Sequence, residues 1–280
     1  MPENRAATEL ATENSGTDAN GGEAPRILEL PDGRRIAYRL RPAIDRTRHC
    51  AGIMFLGGFR SDMSGTKATF LDQFCAVRGL EFVRFDYSGH GASGGRFEDC
   101  TIGRWTEEAL AVIDRVTEGP LTLVGSSMGG WIMLLAALAR PGRIASLVGI
   151  APAPDFTERL IWEGLRSDER DRLLRTGRLE MDSAYASEPT VITRALIEEG
   201  RRHLLLSAPI GIRAPVRLLH GMADPDVPYR LSLELAERLA GTDVRVTLVK
   251  DGDHRLSHAA DRALLARTID ELLDQPPAAR

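Results

Sequence analysis

No apolar run in this sequence is long enough to cross a bilayer, so the chain is expected to be soluble. Cysteine is scarce: Cys50, Cys75 and Cys100 are odd in number and have no metal-ligand spacing. They exclude a disulfide framework and read as buried or free thiols of a reducing compartment. An excess of one charge is also missing. With 36 basic and 40 acidic residues spread along the chain the net charge is -4, and no basic block is present to meet nucleic acid or an anionic membrane. Met1 to Ala24 contain almost no large apolar side chains, which excludes a secretory signal and predicts disorder. Four glutamates and one aspartate in that stretch argue against a transit peptide, so the expected location is cytoplasmic. No internal repeat is visible, and no metal or organic cofactor is implied.

What is present is an alternation of short apolar runs and amphipathic stretches. The 280 residues, 43% of them hydrophobic, can fill one large α/β domain, read here as residues 25–280. Pro31-Asp32-Gly33 is a turn between Ile27–Leu30 and Arg35–Leu40, an antiparallel hairpin at a sheet edge. Buried strands are expected over 51–56, 81–85, 121–124, 144–151, 216–220 and 244–249, with helices between them. That pattern predicts an α/β fold with a mostly parallel central sheet and helices on both faces. It breaks only at about 155–209, where no strand-like run is read. This insertion is expected to be a small helical cap over the strand C-termini, where ligands bind in open α/β sheets.

Leu121 to Arg140 reads LTLVGSSMGGWIMLLAALAR. A short buried strand runs into Gly125-Ser126-Ser127-Met128-Gly129, then into an apolar helix that stops before Pro141. The five-residue pattern Gly-x-Ser-x-Gly is common enough to arise by chance, and it is the strand before it and the helix after it that read as the nucleophile elbow of an α/β-hydrolase. Side chains at Gly125 and Gly129 would collide with neighbouring backbone. The turn lifts the Ser127 hydroxyl clear of the sheet, at a helix N-terminus where developing negative charge is favoured.

A serine hydroxyl needs a base within hydrogen-bond reach, and the base needs an acid behind it. In this fold the chain order is serine, acid, histidine. Ser127, Asp224 and His254 satisfy it, each just past an expected strand. Asp226 competes as the acid, but Asp224 lies nearer the strand end and heads an Asp-x-x-Val-Pro pattern. His258 competes as the base, but falls at the start of the last helix. His90, in a glycine-rich loop, reads as structural, because the fold takes its base after the last strand. Gly57 and Gly58 let the loop after the 51–56 strand approach substrate, so the backbone N–H groups of Phe59 and Met128 are the expected oxyanion donors. Gly58, Trp131, Leu160 and Trp162 are candidate walls of an apolar acyl pocket, with Arg60 at the rim.

The stretches FVRFDYSGHGASGG, LVGSSMGGWIMLLAALARP, LLSAPIGIRAPVRLLHGMADPDVPYRLSLELAERL and DVRVTLVKDGDHRL, together with the segment His203 to Pro209, resemble one branch of the α/β-hydrolase superfamily. This is the branch of the animal mitochondrial palmitoyl-protein thioesterases and their bacterial relatives, and the likeness runs from about Ile53 to Asp270. The resemblance implies a serine hydrolase that cleaves S-palmitoyl thioesters on proteins and acyl-glucuronide esters. It carries the nucleophile, acid and base onto Ser127, Asp224 and His254. A small acyl ester or an acylated protein is thus the expected substrate. A C–C bond hydrolase or a peptidase using the same triad stays open, as does a non-catalytic binding protein of this fold. Dehalogenase and epoxide hydrolase chemistry are disfavoured, because those enzymes carry aspartate at the elbow.

Overall fold

The computed structural model describes residues 24–45, 51–182 and 189–274. The expected disordered tail lies outside these residues save for Ala24, and so does Cys50. Strand β1 (Arg26–Glu29) pairs antiparallel with β2 (Arg35–Arg41) across the Asp32-Gly33 turn. The chain continues through β3 (Gly52–Leu56), α1 (Thr66–Arg78), β4 (Phe82–Phe85), α2 (Ile102–Arg115), β5 (Leu121–Ser126), α3 (Met128–Ala139) and β6 (Ile144–Ile150). After the insertion come β9 (Val216–Gly221), α6 (Arg230–Arg238), β10 (Val244–Val249) and α7 (Ala259–Leu273). The main sheet has the order β1-β2-β4-β3-β5-β6-β9-β10 and is parallel from β4 to β10.

The two-residue period of the strands sorts the core onto two faces. Ile53, Phe55, Val124, Val148 and Leu219 pack with Leu71 and Phe74 of α1 and with Leu265 and Ile269 of α7. Met54, Leu56, Leu123, Leu147 and Leu218 face the other way, onto α2, α3 and α6. Helix α3 is apolar almost all round and Met128 to Leu134 are buried, as a central helix of this kind must be. Among the described residues no helix is long and apolar enough to cross a membrane.

The insertion departs from the expectation of a purely helical cap. A π-helical segment at Thr157–Trp162 and α4 (Ser167–Thr176) are followed by two strands, β7 (Arg178–Met181) and β8 (Thr190–Thr193), and then by α5 (Arg194–Gly200). The two strands form a separate antiparallel sheet. The signal was there in the β-branched run Thr-Val-Ile-Thr at 190–193, which suits a strand better than a helix.

Asp155 closes the neck of this insertion. Its buried carboxylate accepts from the N–H groups of Leu205 and Leu206, so the start of the cap is tied to its C-terminal segment. Burial raises its pKa against those two hydrogen bonds. Asp155→Ala should leave both amides without an acceptor, at about 1–3 kcal/mol for each buried group. Asp155→Asn, which keeps one carbonyl oxygen, should cost less. Chemical denaturation checks the ranking, and limited proteolysis should cut the alanine variant first within 156–204.

Candidate active site

Ser127 joins β5 to α3 with φ 54 and ψ -118, a backbone conformation rare outside glycine. Its N–H donates to Ile150 O, and its carbonyl accepts from Gly130 and Ala153, so the turn is tied down from both sides. A Cβ at Gly129 would stand 2.1 Å from Leu56 O, and one at Gly125 2.5 Å from Gly129 O. Only glycine lets the helix come so close to β3 and β5. The Ser127 side chain makes no capping bond to α3.

Instead Ser127 Oγ donates to His254 Nε2 at 3.0 Å, and His254 Nδ1–H donates to Asp224 Oδ2 at 2.7 Å. These residues sit in the loops after β5, β10 and β9, whose parallel C-terminal ends open on one edge of the sheet. The loops after β9 and β10 lie in direct contact: a Cβ at Gly221 would stand 2.1 Å from Gly252 O, and Ala223 N–H donates to Gly252 O. Lys67 of α1 holds the other side of the histidine loop, donating from Nζ to Arg255 O at 2.6 Å, and burial pushes its pKa down to about 8.

The Asp224 side chain is fully buried. Burial alone would raise its pKa, but hydrogen bonds from His220, His254 and the Val227 N–H hold it well below the usual carboxylate range. Oδ1 takes the N–H groups of Asp226 and Val227, both at 2.8 Å. Asp226 is thus an exposed partner that closes the turn around Asp224. His258 is the N-cap of α7, with its N–H donating to Asp261. Asp224, Asp226 and His254 bring potential metal-ligand atoms within 4.8 Å of one another. The His254 nitrogens and Asp224 oxygens are already committed to the hydrogen bonds above, with which an ion would have to compete. Cys75 and Cys100 are buried, and burial pushes their thiols up to about 12 and about 11, so neither is a ready nucleophile.

The loop after β3 passes beside the serine. A Cβ at Gly58 would lie 3.4 Å from Ser127 Cβ. Among the described residues neither the Phe59 N–H nor the Met128 N–H donates to a protein acceptor. The Phe59 ring anchors this loop edge-on, at 4.9 Å from Phe97, 5.9 Å from Trp105 and 5.4 Å from Phe156. Such contacts are worth about 0.5–1.5 kcal/mol each beyond burial. The next residue, Arg60, has φ 57, and its N–H donates to His90 Nε2 at 3.1 Å. His90 Nδ1–H donates in turn to Ser88 O. Ser88 is itself held by the buried Glu108 of α2 through both its N–H and its hydroxyl. His90 is therefore a neutral imidazole that supports the glycine loop.

One of the expected pocket walls, Trp131, needs correction, and the cap residues Trp162 and Leu160 each pack against neighbouring parts of the protein. Trp131 is completely buried and has no surface open to a substrate; its Nε1–H donates to His203 O and so docks the cap onto α3. The Trp162 ring lies against the guanidinium groups of Arg201 and Arg170, at 4.8 and 5.3 Å. Leu160 is half-buried against the core. Long apolar residues in an insertion pack on whatever lies beneath them, and one sequence cannot say whether that is core or ligand.

A family model described as serine aminopeptidase, S33, matches residues 47–261. The chain belongs to this family. As a member it is a serine hydrolase. The chain is 44% identical to bovine palmitoyl-protein thioesterase ABHD10 over 250 residues, covering 89% of this chain and 80% of that protein. The human protein of the same name is 43% identical over the same span. A hydrolase from Agrobacterium vitis S4 superimposes with a TM-score of 0.84 at 45% identity, and mouse α/β hydrolase domain-containing protein 10 with 0.82 at 40%. Each alignment covers 90% of this chain and 98% of the solved one. These relatives also correct the cytoplasmic expectation, since the ABHD10 proteins are named as mitochondrial. Counting charges in one polar stretch is too weak a basis for assigning a compartment.

The support under Arg60 has a pH signature. Burial lowers the His90 pKa from its ordinary 6.5. The unfolded chain then takes up a proton as pH is lowered through about 6.5, before the folded chain does, so stability present above that pH is lost as pH falls toward the folded pKa. Urea denaturation at a series of pH values should show this loss. His90→Gln, whose amide oxygen can still accept from Arg60 N–H, should flatten it; an unchanged slope would mean that another group titrates.

Proposed function

We propose that this protein removes medium or long acyl groups from thioesters, including S-acylated proteins, through an acyl-enzyme on Ser127. The observation that carries this reading is the continuous hydrogen-bonded chain Ser127 Oγ–His254–Asp224 beside two unpartnered backbone donors. In the proposed sequence His254 Nε2 takes the Ser127 proton as Oγ attacks the thioester carbonyl carbon. The Phe59 and Met128 N–H groups then meet the oxyanion. As the carbonyl reforms, the C–S bond breaks and His254 returns the proton to the thiolate. A water, deprotonated by the same nitrogen, adds to the acyl-Ser127 carbonyl and releases the carboxylic acid and the serine. Asp224 stays ionised throughout and balances the imidazolium. Its depressed pKa suits that task.

The preference for acyl over peptide substrates is supported by the surroundings and by the relatives. Phe59, Phe97 and Phe156 give the loop next to Ser127 an apolar lining, and each buried methylene gains about 0.8 kcal/mol. The relatives at 43–44% identity carry thioesterase names, although the broader family is described as aminopeptidases. A thiolate also leaves more readily than an amine, so a triad without a dedicated amine site favours thioesters.

Ser127→Ala should abolish stoichiometric labelling by a fluorophosphonate; labelling that persists would point to Ser126. Asp224→Asn should lower kcat on the order of 10⁴-fold, and Asp226→Asn far less. The reverse order would assign the acid to Asp226. Across thioesters of graded length, kcat/KM should rise from acetyl to medium or long chains, with aminoacyl amides uncut. Highest activity on acetyl groups, or efficient amide cleavage, would transfer the site to the esterase or peptidase reading.

A further inference from the structure

His220, the second-last residue of β9, lies in the run Val-Arg-Leu-Leu-His-Gly, and its side chain is completely buried. Leucine would fill the same space without a polar group to satisfy, so the imidazole calls for an explanation. Its Nε2 lies 2.9 Å from Val227 O and 3.2 Å from Asp224 Oδ2. Both partners are acceptors, since a carbonyl oxygen has no proton and Asp224 is ionised. Nε2 must therefore carry the proton and share it between them. The opposite nitrogen, Nδ1, lies 2.7 Å from Ser232 Oγ of α6. In the neutral ring that nitrogen accepts, so the fully buried Ser232 hydroxyl donates to it.

We propose that His220 is a positioning residue for the reaction, and that Ser232 holds its ring in the orientation which lets it act. The inference rests on the reading of Asp224 as the triad acid. Donors reach Asp224 from four directions: two backbone amides on Oδ1, and the His254 and His220 imidazoles on Oδ2. Without His220, the carboxylate keeps its backbone anchor on one oxygen while Oδ2 is left with His254 alone and can swing out of the imidazole plane. With His220 in place Oδ2 is held where His254 Nδ1–H must point, which aims Nε2 at Ser127. The second donor also favours the ionised carboxylate, so the proton His254 gains during acylation stays on the imidazole. Ser232 contributes from behind: Val227 O and Asp224 can only accept and so keep the proton on Nε2, and the Ser232 hydroxyl satisfies the lone pair this leaves on Nδ1 and fixes the ring plane. This second imidazole escapes a search for triad order because it lies inside the strand, four residues before the acid, among leucines.

The test compares His220→Leu, His220→Gln and Ser232→Ala with Asp224→Asn, using a long-chain acyl thioester, denaturation curves and the low-field proton resonance of His254 Nδ1–H. His220→Leu should lower kcat about 10- to 100-fold, the scale seen when a metal ligand loses its outer hydrogen-bond partner, with KM unchanged and the low-field resonance shifted or broadened. His220→Gln, whose amide N–H can reach Asp224, should recover part of the lost kcat. Ser232→Ala should show a smaller loss of the same kind, and adding it to His220→Leu should cost nothing further, because both act through one hydrogen bond. Should the leucine variant fail to fold, Ser232→Ala decides alone. Wild-type kcat and an unmoved resonance in folded His220→Leu or in Ser232→Ala, while Asp224→Asn is inactive, overturns the proposal and leaves the triad reading intact. An active Asp224→Asn overturns the triad reading itself.

Discussion

The close approach of α3 to the strands beneath it is the constraint on which the site depends. With glycine at 125 and 129 the helix backbone comes within contact of Leu56 O and Gly57 O. That leaves one residue to turn from strand to helix, and Ser127 does so at φ 54. A non-glycine residue in such a conformation costs of order 1–3 kcal/mol and persists only where its surroundings over-determine it. Here they do. Its N–H and carbonyl are bonded to β6 and to the residues after it, and the helix it starts is buried along most of its length. The strain is offset by the core and holds the hydroxyl above the sheet edge.

Around that turn the groups nearest the reaction are held by groups that take no part in it. Buried histidines do this twice. His90 accepts from the backbone just past Phe59, and His220 donates to the acid. Each meets a backbone carbonyl, Ser88 O or Val227 O, which can only accept and so selects one tautomer. Buried imidazoles suit such work because each ring can accept on one side and donate on the other. Asp155 and Trp131 play a comparable part for the cap, closing its neck and bonding it to α3.

Most of the scaffold was legible in the sequence because its signals are local. Turn residues at Asp32-Gly33, the apolar strand runs and the proline after Arg140 each act within a few residues. The parallel sheet with helices on both faces follows from their alternation. The hairpin in the cap was misread because four-residue strands leave too short a pattern to outweigh flanking helical runs. The aromatic cluster around Phe59 was not legible at all: Phe59, Phe97, Trp105 and Phe156 are scattered along the chain, and no periodicity links them.

By itself the sequence determined the order of elements, the elbow and the choice of Ser127, Asp224 and His254 as candidates, since glycine, serine and histidine in those places have few other uses. Only the tertiary structure decided which atoms meet. Whether Asp224 or Asp226 faces His254 depends on the turn that the Asp226 and Val227 amides close on Asp224 Oδ1. Whether Trp131 lines a pocket or docks the cap depends on where His203 O lies, 72 residues away. The part played by His220 depends on Asp224, Val227 and Ser232 folding back onto the strand that carries it. Hydrogen bonds require atoms within about 3 Å of one another, and spacing along the chain does not fix that distance until the sheet and helices have packed.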